Sequence, residues 1–154
     1  MKKKHILPWL LASLCAALVL VWALYPVRKP YQYPEVELAA LYHMNWKERQ
    51  EVCDIPIGQL KRMTTPVLIE TVLTNPLMEL MDMSLGISCH IPPDYRSAYD
   101  AVGSSFQGLA VLEERKDGRA LLEKLYEETP EEDIWRQATI RYILAAWDQG
   151  PSGP

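Results

Sequence analysis

From residue 35 onward, apolar side chains return every three or four positions and seldom alternate with polar ones, which is the period of helices with one buried face. Alternating β-branched runs joined by Asn-Gly or Asp-Gly turns are lacking. The expected class is all-α, a small bundle of five to seven helices or stacked helical hairpins, preceded by one N-terminal membrane helix.

The pattern predicts a helix over 35–42 and a second over 46–52, started by a capping pair of Asn45 with Glu48. Ile55-Pro56-Ile57-Gly58 interrupts the chain, and a short turn over 59–63 follows. Thr65-Pro66 places a hydroxyl cap before a first-turn proline and predicts a helix over 66–74. Asn75-Pro76 repeats the device, ending that helix and capping one over 76–84. Along this pair Leu68, Ile69, Val72, Leu73, Leu77, Leu80 and Met81 form one stripe, with Glu70, Thr71 and Glu79 off it. Burying each such side chain contributes about 1.5 to 3 kcal/mol, so this hairpin is the expected centre of the fold. A long helix over 94–116 carries Tyr95, Tyr99, Val102, Phe106, Leu109 and Leu112, despite Gly103 and Gly108 within it. After Asp117-Gly118, a helix over 119–128 directs Leu121, Leu122 and Leu125 inward. Thr129-Pro130-Glu131-Glu132 reads as the start of the last helix, whose apolar face holds Ile134, Trp135, Ala138, Tyr142, Ala145 and Ala146. The helical domain thus covers 35–148, and 149–154 is expected as a disordered tail.

The first thirty residues follow a different pattern. Residues 6–25 form a run of twenty without a formal charge, between Lys2-Lys3-Lys4 and Arg28-Lys29. As a helix it would span about 30 Å, the hydrocarbon thickness of a bilayer, whereas a cleaved secretory core is usually about 7 to 15 residues. A transmembrane signal anchor is therefore expected, with cleavage after Ala23 as the competing outcome. Cys15 reads as a small apolar residue of that helix, because Leu14 before it does not suit lipoprotein processing. Residues 1–5 form a short basic cytoplasmic tail, and the domain lies outside the cytoplasmic membrane, anchored or secreted. Pro26, Pro30 and Pro34 make 26–34 an extended proline-rich stalk.

Charge sharpens once the leader is set aside. The chain carries a formal net charge of −4, but residues 31–154 hold 11 bases against 20 acids, or −9. Such a surface repels phosphate backbones and anionic lipid headgroups, so a nucleic-acid partner is excluded, and an unidentified protein is the expected partner.

Cys53-Asp54-Ile55-Pro56, Leu60, Met63-Thr64-Thr65, Leu68, Glu70-Thr71-Val72-Leu73 and Pro76-Leu77 resemble an uncharacterised helical domain of exported proteins in Gram-positive bacteria. Phe106-Gln107-Gly108-Leu109 and Arg115-Lys116-Asp117 look like its later elements. The resemblance covers about residues 45–126 and departs from the family at Ser88 to Pro93. It implies a helical fold and export, and no chemistry.

Few residues could carry a reaction. Cys53 and Cys89 precede matching Ile-Pro pairs, Cys53-Asp54-Ile55-Pro56 and Cys89-His90-Ile91-Pro92, 36 residues apart. In an oxidising location they form a candidate disulfide, with two buried thiols as the alternative; a thiol count under denaturing, non-reducing conditions separates the two. No metal site is expected, since His43, Cys53, Cys89 and His90 match no zinc spacing, and no cofactor motif occurs. The expected role is an interaction or structural module without catalytic activity. Its competitors are a small hydrolase using Cys89 and His90, and an immunity-like protein engaging a basic partner through the acids from Glu113 to Asp133. Trp46, Tyr99 and Trp147 are candidate exposed anchors, although amphipathic stripes favour a core role for such rings.

Overall fold

Asn45 begins a helix as its spacing with Glu48 predicts. Its Oδ1 accepts the backbone N–H groups of Lys47 and Glu48 at 3.0 and 3.1 Å, while Glu48 Oε2 accepts the N–H of Asn45 at 2.8 Å. The computed structural model describes residues 13–17, 25–85 and 95–150, the side chains of 81–85 excepted. Among the described residues the fold is all-α, with nine helices of known bounds and no strand. They are α1 (Leu38–His43), α2 (Trp46–Cys53), α3 (Ile57–Arg62), α4 (Thr65–Leu73), α5 (Pro76–Leu85), α6 (Tyr95–Gly103), α7 (Gly108–Glu113), α8 (Gly118–Glu128) and α9 (Ile134–Asp148).

The count exceeds the expected five to seven because the short turn expected over 59–63 is a helix, α3, and the helix predicted over 94–116 is two. The break falls at Ser104 to Gln107, where Phe106 is fully buried and its ring lies against the Cα of Gly108. A Cβ on Gly108 would stand inside the van der Waals envelope of that ring, so the backbone approaches there only as glycine. The last helix also starts later than predicted. Thr129 ends α8 instead, its hydroxyl donating to the Leu125 carbonyl at 2.6 Å, and Asp133 caps α9 by accepting the Arg136 N–H at 3.2 Å. Thr65 likewise does not cap: it lies within α4 and donates its hydroxyl to Asp117 Oδ1 at 2.8 Å, tying α4 to the turn before α8.

The core sits around α4, which packs against α7, α8 and α9, while α9 also covers α6 and α1 packs on α5. Leu68, Ile69, Val72, Leu73, Leu77 and Leu80 are all buried, as the stripe requires. Asn75, 1% exposed, is the joint between α4 and α5. Its Oδ1 accepts the Leu77 N–H at 2.9 Å, and its Nδ2 donates to the Cys53 carbonyl at 3.0 Å, satisfying the end of α2 with the same amide.

Residues 26–34 are extended, as three prolines dictate, but they lie along the bundle and do not stand away from it. The Val27 N–H donates to the Arg62 carbonyl at 3.0 Å, and Val27 makes an isolated parallel bridge with Met63. Farther on, the Tyr31 N–H donates to Thr71 Oγ1 and the Tyr33 hydroxyl to the Thr71 carbonyl, both at 3.1 Å. Tyr33 then meets Phe106 edge to face, with ring centroids 6.4 Å apart. Thr71, expected off the apolar stripe, is fully buried because this strap covers it.

Both termini lie partly outside the described residues. The basic tail 1–5 and most of the 6–25 span lie outside the described residues; 13–17 are helical, and no described helix is long and apolar enough to cross a membrane. Of the tail 149–154, Gln149 is engaged: its Oε1 accepts the Arg96 N–H at the start of α6 at 2.8 Å.

Replacing Asn75 by Ala orphans two buried backbone groups, and an unfolding free energy lower by about 2 to 3 kcal/mol is expected in urea titrations followed by circular dichroism. Gly108→Ala should cost about 1 to 3 kcal/mol in the same measurement, through overpacking against Phe106.

Candidate functional site

The residues singled out by the sequence do not converge. Cys53, at the last position of α2, is fully buried between the Asn75 joint and the strap. Burial pushes its thiol up from 9.0 to about 11, with Arg49 opposing and Asp54 reinforcing. Such a thiol is a poor nucleophile near neutral pH, and its surroundings are those of a core side chain. Cys89 and His90, the other half of both the disulfide and the hydrolase expectations, lie outside the described residues. Among the described residues no group of three metal-ligating side chains gathers.

The three aromatic anchors separate by environment. Tyr99 is a core residue: its hydroxyl donates to the Leu109 carbonyl at 2.9 Å and accepts the indole N–H of Trp147 at 2.9 Å. Burial raises its ionisation well above the usual phenol range, the Trp147 bond opposing. Trp147 is half-buried, with the Arg119 guanidinium 6.0 Å from its ring. Only Trp46 is open, at 65% exposure, four positions after Tyr42, which is 61% exposed at the end of α1.

Some of the acids from Glu113 to Asp133 are engaged within the fold, while Glu114, Glu127, Glu131 and Glu132 are exposed. Glu113 holds Arg96 at 2.7 Å, Glu123 and Asp148 share Arg119, Glu128 pairs with Lys124 at 3.5 Å, Asp117 accepts Thr65, and Asp133 caps α9. These exposed pairs contribute little stability each.

Two clefts of about 200 Å³ flank the ion pair between Glu70 of α4 and Arg136 of α9. One runs between the Asn75 joint and the start of α9, past Glu79, Asp133 and Thr139. The other lies between α4 and α8, lined by Pro66, Ile69, Leu121, Leu125 and Lys124. Neither holds a nucleophile paired with a base, so what these surfaces offer is shape and charge.

Sequence reading missed a different cluster, where the strap meets the bundle. Arg115 Nη2 donates to the carbonyls of Leu60, Lys61 and Met63 at 3.3, 2.9 and 3.1 Å, closing the end of α3. Val27 binds the Arg62 carbonyl beside it. The signal in sequence was three separate basic pairs, Arg28-Lys29, Lys61-Arg62 and Arg115-Lys116, which only the tertiary fold brings to one end. Comparison of the chain with protein-family models, curated proteins and solved structures finds no match.

A group with a raised folded ionisation binds its proton more tightly folded than unfolded, so its stabilisation is complete below the unfolded value and lost as pH rises through the folded one. For the reduced chain, unfolding free energy should therefore fall between about pH 9 and 11, and Cys53→Ala should flatten that fall. Denaturant titrations at stepped pH measure both.

Proposed function

We propose that the chain is a membrane-tethered, extracytoplasmic helical module that acts by surface contact with a protein partner and carries out no bond chemistry. The observation that carries this reading is the twenty-residue uncharged run 6–25, bounded by bases and ending directly where the strap docks on the bundle. A tether joined to the domain by a packed strap holds the bundle at a fixed height and orientation, which suits presentation of a surface more than free diffusion. Trp46 and Tyr42, both exposed, are the contact residues this reading favours, since large rings lose little conformational entropy on binding.

In a bacterial host, the full chain should pellet with membranes after alkaline carbonate washing, and protease added to spheroplasts should remove the 35–148 domain. Recovery of the intact chain in the cytosolic fraction would falsify the proposal. Trp46→Ala should reduce capture of a crosslinked partner while leaving the far-ultraviolet circular dichroism unchanged.

A further inference from the structure

We infer that the leader-proximal end of the bundle is a basic collar that seats on anionic lipid headgroups; the inference rests on the anchored reading of residues 6–25. Residues 31–154 are strongly acidic as a whole, yet six cations gather where the chain enters the bundle. Arg28 and Lys29 belong to the strap, which is fastened at Val27 to Arg62 and Met63. Lys61 and Arg62 end α3, and Arg115, followed by Lys116, is clamped to the carbonyls of that same helix end. Glu114 and Asp117 are the acids in the Arg115–Lys116 turn, and Asp117 is occupied by the Thr65 hydroxyl. Arg28, Lys29, Lys61 and Lys116 are exposed.

The distance decides the occupant. The uncharged run stops at Tyr25, and Val27 is already bonded to the bundle, so the collar lies two residues, or about 7 Å of extended chain, from the end of the apolar segment. That is about the depth of one headgroup layer and within a Debye length of about 8 Å at physiological salt. The Arg28 guanidinium lies back over the ring of Tyr25, 5.6 Å from its centroid, a pairing of cation and exposed aromatic ring suited to the polar boundary of a bilayer. A juxtamembrane set of four to eight bases is the charge pattern that binds anionic lipid, and here it is preassembled by the fold.

The test uses the full chain reconstituted into vesicles of phosphatidylcholine alone or with phosphatidylglycerol, followed by flotation and lysine acylation footprinting. In anionic vesicles at about 0.1 M salt, Lys29, Lys61 and Lys116 should label about fivefold more slowly than in zwitterionic ones, Lys47 and Lys124 should not change, and about 1 M salt should erase the difference. K61E/K116E, and the milder K61Q/K116Q, should lose the protection of Lys29 with unchanged circular dichroism. Flotation in both vesicle types without differential protection overturns the collar and leaves the anchor standing. Flotation with anionic vesicles alone, abolished by K61E/K116E, removes the anchor and overturns the collar as a juxtamembrane seat, leaving only peripheral charge attraction. Flotation with neither overturns both, and equal protection by millimolar inorganic phosphate without lipid overturns the lipid assignment.

Discussion

Short helices have more ends than middle, and every end leaves backbone groups that the helix cannot satisfy itself. Three of the described helices are only six residues long, so the fold depends on side chains from elsewhere in the chain to close them. Arg49 donates to the carbonyls of Leu41 and Tyr42 at the end of α1, and Arg115 does the same for α3. Asn75 serves two helices at once, and Gln149 reaches from the end of α9 to the first turn of α6. The bundle is stitched at its helix ends as much as it is packed along its helix faces.

This explains which features could be read in advance. The Asn45 and Glu48 box and the Asn75-Pro76 joint are local, complete within four residues, and both formed as their spacing implies. Thr65 and Thr129 carry the same chemistry, but each hydroxyl found a competing acceptor: Asp117 for Thr65, and the Leu125 carbonyl for Thr129. The split of the predicted 94–116 helix turned on Phe106 needing the space that Gly108 leaves, a fit that periodicity does not encode. Thr71 was assigned to the outer face because its covering partner, the strap at Tyr31 and Tyr33, lies some forty residues away. The basic end was hidden in the same way, as pairs of residues separated by more than thirty positions.

The ion pairs show which cations the fold uses internally. Arg96 holds Asp100 and Glu113 and lies over Tyr99, so that cation is spent on the junction of α6 and α7. Arg119 and Lys124 are likewise engaged with neighbouring acids along α8. Among the described residues, the exposed Lys and Arg side chains outside these pairs are Arg28, Lys29, Lys61 and Lys116 near the strap and Lys47 and Arg141 elsewhere. Net charge alone, −9 for residues 31–154, conceals that distribution.

The strap also sets how the domain would answer a mechanical load. Its fastenings, Val27 to Arg62, then Tyr31 and Tyr33 to Thr71, lie in series along an extended segment. A pull from the leader would break them singly, from the near end, as a zipper opens, while the core around α4 stayed shut. Peeling would uncover Thr71 and the flank of Phe106 in turn, turning tension at the N-terminus into stepwise exposure of a surface that is closed at rest.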